Sequence, residues 1–295
     1  MTLRTLIFPL LLAAVAPLTS GRVYAAAPPD GAAFQPVPEL TAGFRLLYEQ
    51  NFTDSREIFL AWEKQHPDEP FGHIAVAASY LFEEFYRQGV LTSEFFLNDK
   101  KLLHGINGKP DATRMEGFRR ERDHAIEAAR RRLQKDPKDA EALFALTLAA
   151  GMQADALSLL ERRNLDSLGQ IKEADAYAKR LLAVRPDADD AWLALGIANY
   201  IIGCMPSPTR FFLWFGGVHG DRSLGMEQLQ KTADKGRYLR PYAMILLALA
   251  ARREKQHDRA RELLRQLKEE FPRSPLFAAE YARAMGQPIP SSITH

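Results

Sequence analysis

Along much of this chain, apolar and small residues return at helical spacing and are then cut off by proline. A small residue stands twelve positions ahead of a Pro at Ser55 and Pro67, Ala125 and Pro137, Ala174 and Pro186, and Ala260 and Pro272. Four positions after each small residue comes another apolar or small one: Phe59, Ala129, Ala178 and Leu264. Three further on stand Trp62, Leu181 and Leu267, with Arg132 the exception. Positions i, i+4 and i+7 share one helix face, so the small residues admit a neighbouring helix and the larger ones fill the space beside it. Pro lacks an N–H and drives the residue before it out of helical geometry, so each block predicts a helix that stops just short of its Pro. Asp68, Asp139, Asp187 and Asp189 follow three of the breaks, and Ser274 the fourth, where they are expected to cap the next helix or sit at its positive end.

The stretches between these blocks supply partner helices. The pattern predicts five helix pairs, over 39–66, 71–136, 139–185, 188–236 and 239–271, and a closing helix over 275–285. Material is inserted near 88–118, 155–167 and 203–220, and an extra helix is expected over 223–235, with Gly225 and Leu229 in register. Composition agrees, because Ala, Leu, Arg and Glu dominate and β-branched residues are sparse. The fold class is all-α.

Trp192, Leu195 and Gly196 form a W-x-x-L-G pattern, and Met244, Leu247 and Ala248 repeat its spacing ahead of Ala260. On these residues, and on the small-to-Pro blocks, the chain resembles the tetratricopeptide repeat family. The resemblance implies an α-solenoid, a stack of helix pairs whose concave face holds a peptide or protein. The spacings between the prolines are 70, 49 and 86 residues, against about 34 in that family. The array is therefore degenerate and interrupted, and consensus ligand-binding positions do not transfer to it. A narrower resemblance lies within 192–240. There, Pro206-x-Pro208, an aromatic run and Gly216-Gly-Val-His-Gly-Asp-Arg look like a motif of the tetratricopeptide repeat domain 39 proteins and the mitochondrial inclusion-body clearance protein. That likeness implies protein or lipid handling beside a membrane.

The N-terminus changes where such a protein is expected to work. Arg4, an apolar stretch from Leu6 to Leu18 and small residues at Ala25 to Ala27 read as an export signal over 1–25, cleaved after Ala25 or Ala27. An uncleaved anchor is the alternative, although the stretch is short of the about 20 apolar residues a span needs and is broken by Pro9 and Pro17. A flexible linker is expected over 26–36, the helical array over 37–287 and a flexible tail over 288–295. Loss of Arg4 and Arg22 takes the formal charge of +2 to zero. A neutral chain is poorly suited to the counterion release that drives nucleic-acid binding. The arginines of 119–122 and 130–132 are interspersed with acids and read as solvated helix faces. Cys204 is the single cysteine, so no intramolecular disulfide forms, and its apolar surroundings suggest a buried, inert thiol.

Chemistry is sparsely signalled. The sequence has no metalloprotease, nucleophile-elbow, P-loop or dinucleotide motif. Its histidines form no i, i+4 pair, which argues against a metal site on one helix; no catalytic role, cofactor or metal is expected. The segment 203–222 exceeds what an inter-helix turn requires, and Arg210, Phe211, Trp214, Phe215, His219, Asp221 and Arg222 are its candidate interaction or structural residues. The expected function is an exported, non-catalytic scaffold for protein–protein interaction in the cell envelope of a bacterium. One alternative is a peripheral membrane or lipid-handling module that uses the aromatic segment; another is an enzyme of unrecognised type.

Overall fold

The computed structural model describes residues 31–98, 100–101, 105–205 and 219–289. The stretch read as an export signal, most of the aromatic segment and residues 290–295 lie outside the described residues. Among the described residues twelve α-helices of four residues or more follow in series: α1 Pro38–Tyr48, α2 Phe52–Gln65, α3 Pro70–Arg87, α4 Ser93–Phe96, α5 Ala112–Lys135, α6 Ala140–Asp155, α7 Asn164–Val184, α8 Trp192–Cys204, α9 Arg222–Lys235, α10 Arg240–Arg253, α11 His257–Glu270 and α12 Pro275–Ala284. A π-helical turn, Ala156–Leu160, extends α6. Among the described residues there is no strand.

The prolines act as their chemistry dictates. Helices α2, α5, α7 and α11 end at Gln65, Lys135, Val184 and Glu270, two residues before Pro67, Pro137, Pro186 and Pro272. The residue between leaves helical geometry in each case, with φ of −131° at His66, −137° at Asp136, −139° at Arg185 and −122° at Phe271, and at Asp136 it is fully extended. Proline ring sterics exclude the helical region there. Capping follows only in part. Asp139 accepts from Ala142 N at 2.9 Å and Ser274 from Phe277 N at 3.2 Å. Neither Asp68, Asp187 nor Asp189 caps a helix: α3 starts on Glu69 and Pro70, and a 3-10 turn, Asp189–Ala191, leads into α8.

Helices pair as α1 with α2, α3 with α5, α6 with α7, α8 with α9 and α10 with α11, and α12 covers the end. The small residues sit at the crossings. Ser55, Ala125, Ala174 and Ala260 are buried. A Cβ on Gly43 would stand 2.3 Å from the Phe59 ring, so α1 and α2 approach closely only because Gly43 has no side chain. The second helices α2, α5, α7 and α11 keep one exposed face, whereas α3, α6 and α10 are buried around most of their circumference. Helix α6 with its π turn (140–160) has the length and apolarity of a membrane span, but most of it is enclosed by α3, α5 and α7.

That burial arises because the array closes on itself. Phe44 of α1 packs on Phe59 (5.0 Å between centroids), Phe71 (6.0 Å) and Tyr238 (4.9 Å), the last from the turn before α10. Phe71 of α3 also meets Phe144 of α6 at 5.6 Å, and Phe82 of α3 meets Tyr242 of α10 at 5.0 Å. One continuous core runs from Ala33 to Phe277. The concave face that an open stack of helix pairs offers to a ligand is filled here by the protein's own aromatic rings.

The insertions help to seal the closure. Ser93 N donates to Glu280 Oε2 on α12 at 3.2 Å, and Arg253 of α10 donates to the Phe96 carbonyl at 2.8 Å. Ile106 N donates to the Leu159 carbonyl in the π turn at 3.0 Å. The linker expected over 26–36 is corrected over its described part. Ala33 is buried, Ala33 N donates to Glu141 Oε1 at 2.6 Å, and Phe34 packs on Phe144, because this strip covers the end of α6.

Candidate functional site

Closure moves any docking surface outward, and one opening among the described residues lies between two outer helices. α5 and α7 part over α6 and leave a cleft of about 280 Å³. Its floor is Leu146, Ala149 and Ala150 of α6. One wall carries Arg122, Ile126 and Arg130 of α5 at i, i+4 and i+8; the other carries Gln170, Glu173 and Tyr177 of α7. Small residues on the floor let the cleft exist, since larger side chains at Ala149 and Ala150 would fill it. The Arg122 guanidinium is held by its neighbour Asp123 at 2.6 Å and lies close to the Phe118 ring. Gln153 lines the inner end, and its Oε1 is buried with no hydrogen-bond partner among the described residues. Buried acceptors are nearly always paired, and this one is an exception beside the cleft.

The cleft combines an apolar floor, an acceptor, two guanidinium groups and one carboxylate. Among the described residues no thiol, serine or histidine lines it.

The residues singled out in the sequence divide between described and undescribed parts. Arg210, Phe211, Trp214 and Phe215 lie outside the described residues. His219, Asp221 and Arg222 are exposed at the start of α9. Asp221 is the N-cap of α9, its Oδ1 accepting from Leu224 N at 2.9 Å. Arg222 pairs with Glu254 at the end of α10 at 3.3 Å. Gly203 and Gly220 allow the end of α8 to cross this turn: a Cβ on Gly203 would lie 2.7 Å from Arg222 N, and one on Gly220 2.5 Å from Ile202. Cys204 is half-buried, and burial pushes its thiol above the ordinary value, which keeps it protonated and weakly nucleophilic.

The cleft residues were not singled out in the sequence. Arg122 and Arg130 fall in runs that read as solvated faces, and Ile126 between them was the signal, an apolar position on a basic stripe.

Comparison with known proteins bears on the helices that follow the cleft floor, from the end of the π turn onward. Residues 159–203 and 219–275 match the family model of the tetratricopeptide repeat. No curated protein matches the chain. Among solved structures, the chain is similar to a thermophilic tetratricopeptide repeat protein of Thermus thermophilus, with 14% identity and a TM-score of 0.45 over 84% of this chain and 97% of that one. The narrower resemblance over 192–240 has no counterpart in these matches.

Proposed function

We propose that this protein is a non-catalytic scaffold for protein–protein interaction, and that it takes a segment of its partner in the cleft between α5 and α7. Helix pairs of the tetratricopeptide kind generally serve to hold other proteins or peptides, and the matched repeats support that class. The observation that carries the cleft is the unpartnered Gln153 Oε1 at the end of an apolar floor. A peptide N–H satisfies it, apolar side chains rest on Ala149 and Ala150, and Arg122 and Arg130 favour an acidic residue on the partner. Export to the cell envelope, read from residues 1–25, belongs to the same proposal and directs the search for the partner outside the cytoplasm.

The test places a photo-crosslinking residue at Tyr177 and, as control, at Glu262 on the exposed face of α11. Specific adducts at Tyr177 alone, lost when Arg122 and Arg130 are both changed to Glu, are the expected result. Equal capture at the two positions, or adducts indifferent to the charge reversal, overturns the cleft as the docking site.

A further inference from the structure

A second constellation sits away from the cleft, where α2, α3 and α5 meet. Glu63 comes from the last turn of α2, His73 from the first turn of α3, and Glu121 and His124 from one face of α5. His73 Nδ1 lies 3.3 Å from Glu121 Oε2 and 3.4 Å from Glu63 Oε1. His124 Nδ1 lies 3.7 Å from the same Glu121 oxygen. The ligand atoms of His73, Glu121 and His124 all fall within 4.8 Å of one another.

Hydrogen bonding accounts poorly for this convergence. A single Nδ1–H shared between two carboxylates makes at best a bifurcated bond, and both arms, at 3.3 and 3.4 Å, exceed the roughly 2.9 Å of a good N–H···O bond. Glu63 Oε2 is buried with no partner among the described residues. The spacing does match a coordination shell. Zinc binds imidazole nitrogen and carboxylate oxygen at about 2.0–2.2 Å, which sets neighbouring ligand atoms in a tetrahedron about 3.4 Å apart. Two carboxylates and two neutral imidazoles carry the charge that a divalent cation neutralises. Arg120 Nε holds the other oxygen of Glu121 at 2.8 Å, fixing the carboxylate so that Oε2 points at both histidines. His73 and Glu121 side chains are almost enclosed, at 11% and 5% exposed, while His124 is 52% exposed. The open edge gives an ion a way in, and the ring of His124 is free to swing the last fraction of an ångström.

We infer that His73, Glu121 and His124, with Glu63 beside them, form a binding site for a divalent transition-metal ion of the zinc type. Bound there, the ion ties α2 and α3 to α5 and joins the first helix pair to the second. Its role is structural, because it pins three helices at one point.

The experiment uses the full helical chain, treated with chelator and titrated with zinc by calorimetry, and with cobalt(II) by visible absorption. Expected is a single ion per chain, the absorption of low-coordinate cobalt, and a zinc-dependent rise in melting temperature. His124→Asn, at an exposed position that leaves the fold intact by circular dichroism, lowers zinc affinity at least about tenfold, and Glu121→Gln does the same. A wild type that takes up no zinc overturns the site, and so does an affinity unchanged in both variants. In that event His73→Gln lowers the melting temperature equally with and without chelator, and the cluster is a histidine–carboxylate ion pair.

Discussion

Tyr48 at the end of α1 donates its hydroxyl to the carbonyl oxygen of Tyr238, 2.7 Å away and 190 residues later in the chain. Tyr238 in turn directs its own hydroxyl at the carbonyls of Ala32 and Gln35, both at 3.1 Å, and its N–H at Asp190. This latch joins the first helix pair to the last. Tyr48→Phe removes one buried donor and leaves a carbonyl unpaired, and is expected to cost about 1–2 kcal/mol in denaturant melts. Tyr238→Ala also removes a ring from the aromatic core. We expect about 3–5 kcal/mol, with a larger radius of gyration by X-ray scattering. An unchanged radius and stability would show that closure does not depend on the latch.

Gly43→Ala tests the tightest helix crossing. The added methyl meets the Phe59 ring, which is itself fully buried and has nowhere to move. Overpacking of this kind costs about 1–3 kcal/mol. The double variant Gly43→Ala with Phe59→Leu should recover part of that loss, and thermal melts of the set decide it.

How much of this was legible beforehand follows from range. The spacing of Ser55, Ala125, Ala174 and Ala260 to their prolines is local, and so were the helix ends and the pairs they define. The latch was not legible, because Tyr238 lies in a turn and its partner Tyr48 is 190 residues distant. The same holds for His73 and Glu121, 48 residues apart, which only the packing of α3 on α5 brings together. A search along one helix for paired histidines passes over such a cluster. The cleft was hidden for another reason: Arg122 and Arg130 carry charge, and a charged stripe in sequence looks the same whether it lines an opening or merely faces water.

Stability should fall as pH rises through neutrality. Burial pushes Glu141 up to about 8 and Asp190 up to about 6, the latter despite the N–H groups of Tyr238 and Leu239. Unfolded carboxylates titrate near 4, so between that value and the folded one the native state binds more protons, and raising pH disfavours it. We therefore expect a higher melting temperature at about pH 5.5 than at about pH 8.5. Glu141→Gln, which keeps the acceptor for Ala33 N, should flatten the slope. A melting temperature that rises with pH across this range would contradict the assignment.

Asp221→Ala separates a cap from a chemical role. Loss of an N-cap aspartate costs about 1 kcal/mol, and partner capture at Tyr177 should be unaffected once the protein is folded. Asp221→Asn, which still caps, should restore the melting temperature. A variant with full stability but no partner capture would instead place Asp221 in the binding surface.

Closure also decides how this chain can be made. An open stack of repeats grows and shrinks by one unit at a time, each stable beside its neighbour. Here Phe44 and Tyr48 leave the ribosome early and wait for Tyr238 and Phe271 before their apolar face is covered. Such distant pairings slow folding and leave intermediates prone to aggregate. The apolar face of the first pair therefore stays uncovered until the last pair emerges, and trimming either end strips the cover from the other.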